Sequence, residues 1–244
     1  AAQKPHPEQD ALMMLSLPEG YRALVIGASG AIGSALLQQL QHDPRCAAVI
    51  GVSRQSSPGL DLLSESSIAA CAQALAGQGP FHLVVDATGA LTVNGRGPEK
   101  RLDELDATHL LDALQLNAVG PGLLLKHLAP LLASGQRVIW GKLSARVGSI
   151  EDNRKGGWYG YRAAKAALNM LLQTAAIEIA RRRPLAVVVA LQPGTVQSAL
   201  SRPFVGDDAL HPEEAAQRLL AALDGLQPTG RAQFVDHQGQ SIPW

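Results

Sequence analysis

Cysteine is scarce: Cys46 and Cys71 are the only two in 244 residues, too few and too far apart for a disulfide framework or a metal-binding ribbon. Both lie in apolar stretches, which predicts buried free thiols in a reducing compartment, and the expected location is cytoplasmic. Net charge is also missing. Lys plus Arg number 21 and Asp plus Glu 21, so there is no electrostatic footprint for nucleic acid or an anionic membrane, and neither is an expected partner. The one basic cluster, Arg181-Arg182-Arg183, follows an alanine-rich helical run and suits a helix C-terminus. No run approaches the roughly 18 apolar residues that span a bilayer. His109 and His127 lack a partner at metal-ligand spacing, so no metal site is expected. Residues 1–10 are polar, carry Pro5 and Pro7, and lack the apolar stretch of a signal peptide. The chain begins without Met. Residues 1–18 are read as a poorly ordered or peripheral N-terminal extension, in part foreign to the protein, with Met13 or Met14 as the expected native start.

The remainder has material for a sizeable core, at 46% hydrophobic and 17% charged,. Short β-branched runs alternate with helical stretches. Strands are predicted at 23–26, 48–53, 82–86, 137–140, 186–191 and 233–235. Helices are predicted at 31–41, 65–75, 108–133, 158–182 and 212–223. Strict alternation predicts an α/β fold, a doubly wound parallel sheet with helices on both faces. No repeat, low-complexity tract or linker divides the chain, so residues 19–244 are expected to form a single domain.

The first strand runs directly into Gly27-Ala28-Ser29-Gly30-Ala31-Ile32-Gly33 and then a helix. A strand, a glycine turn and a helix start are what a pyrophosphate needs: backbone that can be approached closely, unsatisfied N–H groups and the positive end of the dipole. This makes the expected sheet Rossmann-type, although the spacing is G-x-x-G-x-x-G instead of G-x-G-x-x-G. The second strand ends Gly51-Val52-Ser53-Arg54, with no acid to accept from an adenosine ribose 2′-OH. Arg54 can hold a 2′-phosphate in a fork, so NADP(H) is the preferred cofactor and NAD(H) the second choice. A solvated loop arginine is the plainer reading of Arg54.

Tyr161-Arg162-Ala163-Ala164-Lys165 puts a phenol and an ammonium one helical turn apart. The phenol is a poor acid–base group at its ordinary pKa near 10. A neighbouring cation is expected to bring it toward the working range.

With these motifs together, residues 21–244 resemble the short-chain dehydrogenase/reductase family. Gly27, Ala31 and Gly33 stand at the family's glycine positions, Ala31 replacing the middle one and Gly30 one place early. Asp86-Ala87-Thr88-Gly89 stands where the family has Asn-Asn-Ala-Gly. Asn117 matches its helix asparagine, which holds a water in the proton relay, and Pro193-Gly194-Thr195-Val196 its segment along the nicotinamide. Asp61-Leu62 resembles its adenine-side dipeptide. Gly148-Ser149-Ile150, Gly156-Gly157-Trp158-Tyr159, Leu200-Ser201-Arg202-Pro203-Phe204 and Ile242-Pro243-Trp244 resemble the bacterial C-factor-like branch.

The resemblance implies an alcohol dehydrogenase or carbonyl reductase acting on a small carbonyl or alcohol. Tyr161 would be its acid–base group, Lys165 its partner at tyrosine and ribose, and Asn117 part of the relay. It also implies a homodimer or homotetramer. The family's serine position, three residues before Gly148, holds Ala145. Ser144 beside it is the expected substitute if a bulge re-aims it; Ser149, or no serine, are the alternatives. The altered Asp86–Gly89 loop leaves open a nucleotide-binding signalling protein with little turnover. An epimerase or dehydratase would need a longer C-terminal substrate domain. Residues 197–211 are the expected substrate lid, short enough for a modest, open pocket.

Overall fold

The computed structural model describes residues 12–197 and 209–244. Six strands form one parallel sheet: β1 (Tyr21–Ile26), β2 (Cys46–Val52), β3 (Leu83–Asp86), β4 (Val138–Leu143), β5 (Ala186–Gln192) and β6 (Ala232–Asp236), in the order β2-β1-β3-β4-β5-β6. Each predicted strand is present. Strand side chains alternate between two cores: Leu24 and Ile26 face one side, Ala23 and Val25 the other, as a sheet buried on both faces requires. Helices α2 (Glu65–Leu75), α4 (Gly120–Leu128) and α5 (Tyr159–Arg182) cover the first side. Helices α1 (Ala31–His42) and α6 (Pro212–Gly225) cover the second.

Two expectations are corrected. Residues 14–17 are not peripheral, because Met14 and Leu17 are buried among α1 and α6 residues. The expected helix over 108–133 is broken into α3 (Ala107–Leu114), a π-turn over Gln115–Val119, and α4. The π-turn centres on Asn117, whose Nδ2 donates to Ala113 O and, across the cleft floor, to Ala90 O. A side chain inserted into the ladder is an ordinary cause of such a widening.

The order reverses between β1 and β3, and this switch point leaves a crevice at the strands' C-terminal ends,. The loops after β1, β3, β4 and β5 all open into it.

Candidate active site

The crevice is a cleft of about 450 Å³. One wall is the glycine turn. Gly27 adopts φ +81°, and a Cβ on Gly33 would lie 2.1 Å from Gly27 O, so the turn can close against α1 only with glycine there,. No side chain caps α1 at Gly30 and no acid stands in its first turn. Free N–H groups and an unopposed dipole are a cradle for a phosphate. The turn fits the dinucleotide implied by the family.

The opposite wall is α5. Lys165 is buried at 3% exposure, its Nζ donating to Leu143 O at 3.2 Å and lying 5.5 Å from the Tyr161 ring centroid. Gly148 lets the β4 end approach so closely, since a Cβ there would sit 2.8 Å from that of Lys165. Trp158 meets the Tyr161 ring edge-on, centroids 6.2 Å apart. Tyr161 moves opposite to the expectation drawn from its neighbouring cation. Burial pushes the Tyr161 phenol up to about 12 instead of toward neutrality. Burial, helped by the Lys142 cation and opposed by Asp86, pulls Lys165 down to about 7. Desolvation disfavours both charged forms.

Between the walls lies the loop after β3. Asp86 Oδ1 accepts from Thr88 N (2.9 Å) and Thr88 Oγ1 (2.6 Å). Lys142, in register with Asp86 on β4, reaches Asp86 Oδ1 at 3.1 Å and donates to Thr88 O at 2.5 Å. Asn117 ties down the far end, its Oδ1 accepting from Ala90 N at 3.0 Å and its Nδ2 donating to Ala90 O at 3.0 Å. Gly89, at φ +131°, passes directly over Lys165 Nζ, leaving 3.3 Å to a would-be Cβ. The loop that departs from the family pattern is thus held by the Asp86–Lys142 pair at one end and by Asn117 at the other. The predicted strand over 137–140 stops two residues short of Lys142, because a lysine after Trp140-Gly141 has the composition of a strand end. The signal was an acid closing β3 together with a lysine inside the next apolar strand.

The structure brings Gly30, Ile32, Gly33, Ala87, Thr88, Gly89, Ser144, Tyr161, Lys165, Pro193, Gly194 and Val196 to the cleft wall. Gly27, Ser29, Arg54, Asp61, Leu62 and Asn117 are off it. Arg54 and Ser29 are exposed; Asp61 closes a turn through Leu63 N; Leu62 is core, packed on Gly120. No bulge re-aims Ser144. Its N–H still bonds Leu191 O, and the pleat points its hydroxyl at α5, where it donates to Asn169 Oδ1 at 2.7 Å. Ser149 is buried against Trp244 O, away from the cleft. Part of the expected lid, residues 198–208, lies outside the described residues. Among the described residues no cluster could hold a metal and no helix is long and apolar enough to cross a membrane.

A family model described as enoyl-(acyl carrier protein) reductase matches residues 38–229. The chain belongs to this family of short-chain dehydrogenases/reductases. It is 29% identical over 234 residues to 1-hydroxy-2-glutathionyl-2-methyl-3-butene dehydrogenase of Rhodococcus sp., covering 91% of this chain and 98% of that one. It is 33% identical over 144 residues to the C-signal of Myxococcus xanthus, covering 59% of this chain and 83% of that one. Its backbone is similar to a short-chain dehydrogenase/reductase of Burkholderia multivorans with bound NADP, at TM-score 0.77, 25% identity, 92% coverage of this chain and 99% of that one.

Proposed function

We propose that this chain is an NADP(H)-dependent oxidoreductase that interconverts a small carbonyl compound and its alcohol. One observation carries this reading: Tyr161 and Lys165 face the same cleft as the uncapped helix start at Gly30. Gly30, Ile32 and Gly33 would hold the pyrophosphate, and Lys165 and the Pro193–Val196 segment the nicotinamide end. Asp61 is assigned the adenine side, with Leu62 behind it. Arg54, exposed at the end of β2, supports NADP(H) over NAD(H), as does the NADP in the Burkholderia relative. When bound, that cofactor supplies the hydride.

Tyr161 holds its proton throughout the neutral range and delivers it to the carbonyl oxygen, so the free enzyme is poised for reduction. Lys165, when charged, offsets the phenolate that remains. Ser144 is the hydroxyl nearest the family position; a half-turn of the Asn169 amide would let Asn169 donate to it and free its proton for the carbonyl. Asn117 keeps one acceptor lone pair for a relay water, its amide hydrogens being spent on Ala90 and Ala113.

The exposed apolar residues Leu111, Val119, Met170 and Leu171, on α3, the π-turn and α5, fit a second copy of the chain in a homodimer or homotetramer. Two unpaired cysteines suit the cytoplasm. The partial similarity to the C-signal favours a second reading, a C-factor-like signalling protein that binds nucleotide with little turnover. NADPH oxidation across aldehydes, ketones and quinones separates the two: turnover of any one supports the enzyme, whereas tight NADPH binding with none supports the signalling protein.

A further inference from the structure

We propose that Glu99 is a positioning residue that fixes the first turn of α5 and thereby the placement of Tyr161. The inference rests on the reaction proposed above. Glu99 lies between β3 and α3, far from any strand end, yet is only 4% exposed. Its Oε2 accepts the Gly160 N–H at 3.0 Å, and its backbone oxygen accepts the Trp158 N–H at 2.5 Å. Two of the orphan donors at the start of the tyrosine helix, Trp158 N–H and Gly160 N–H, are therefore satisfied by one distant upstream residue. The N-cap residue, Trp158, supplies no side-chain cap itself and sits at φ +55°, a left-handed conformation that bulky residues adopt only when their surroundings impose it.

The contact is fitted on both sides. A Cβ on Gly160 would come within 3.0 Å of Glu99 Oε1, so the carboxylate sits against the helix most easily where position 160 has no side chain. The negative group meets the positive end of the α5 dipole. Behind it, His109 of α3 places Nε2 3.9 Å from Glu99 Oε1, with both side chains buried. Glu99 Oε1 and His109 Nδ1 are buried without a hydrogen-bond partner. An incompletely paired buried carboxylate costs stability, so fold stability alone is a poor reason for a glutamate here. What it secures is the residue after Gly160. Tyr161 is the first α5 side chain in the cleft, and a shift of the first turn moves its hydroxyl relative to Lys165, one turn further along.

The test compares full-length wild type, Glu99→Ala and Glu99→Gln. Glutamine keeps an acceptor for Gly160 N–H; alanine does not. Hydrogen exchange, read without cofactor or substrate, should accelerate in Glu99→Ala over residues 157–163 and stay unchanged in the central strands, with protection regained in Glu99→Gln. With NADPH and 9,10-phenanthrenequinone or another carbonyl that wild type reduces, Glu99→Ala should lose about 10- to 100-fold in kcat. Its NADPH affinity should stay within about twofold, and Glu99→Gln should recover most of the rate. Unchanged exchange at 157–163, acceleration spread over the whole chain, or a glutamine variant no better than alanine would overturn the proposal. If wild type reduces no carbonyl, the reaction proposed above fails, and the exchange pattern alone decides whether Glu99 fixes this turn.

Discussion

Lys142 and Asp86 stand opposite each other on β4 and β3, Nζ to Oδ1 3.1 Å, each side chain 1% exposed. Together they clamp Thr88 and shape the floor of the cleft. Removing one partner strands the other's charge in the core. Lys142→Met should therefore cost about 3–5 kcal/mol in urea unfolding, and the Asp86→Asn/Lys142→Met double variant should recover much of it. Single-variant losses below about 1 kcal/mol would show the pair to be dispensable.

Arg54 is proposed to set cofactor choice. If it grips a 2′-phosphate, NADPH binds more tightly than NADH, and Arg54→Ala weakens NADPH by about 1.5–3 kcal/mol while leaving NADH unchanged. Fluorescence titration with both cofactors measures this. Equal affinities in the wild type would remove the assignment.

Lys165, drawn down to about 7, carries its charge below that pH and loses it above. In the proposed reaction the Lys165 cation supports the incipient phenolate of Tyr161. Hence kcat/KM for NADPH, which reports the free enzyme, should fall as pH rises through about 7. A profile flat from about pH 6 to 9 would contradict this.

For Ser144, the distinction is between its hydroxyl and its hydrogen-bond partner. Ser144→Ala should lower kcat by about 100-fold if the hydroxyl meets the substrate oxygen. Asn169→Leu, which leaves that hydroxyl in place, should cost far less. Equal losses would mean that Ser144 acts through its hydrogen bond to Asn169 and not on the substrate.

Much of this was legible in the sequence, and the exceptions share a cause. Strand and helix positions follow from local periodicity, and the glycine turn and Tyr161–Lys165 pair follow from spacing. Lys142 reads as a strand terminator until Asp86, 56 residues earlier, is known to pair with it. The π-turn at Asn117 depends on Ala90, and the Glu99 contact depends on Gly160. Each is set by a tertiary partner that local sequence does not contain. The upward shift of Tyr161 has the same origin, because burial is a property of the whole cleft wall. Ser144 is a different case: the one-residue offset was visible, and the pleat, left unbulged, decided where the hydroxyl points.

The buried phenol of Tyr161 is proposed as the proton donor in a cleft that binds NADPH independently of it. Tyr161→Phe tests this most directly, with NADPH affinity and carbonyl reduction measured on the same preparation. NADPH should bind within about twofold of wild type while the rate falls by at least 100-fold, the scale of a lost general acid. A phenylalanine variant that keeps most of its activity would contradict it.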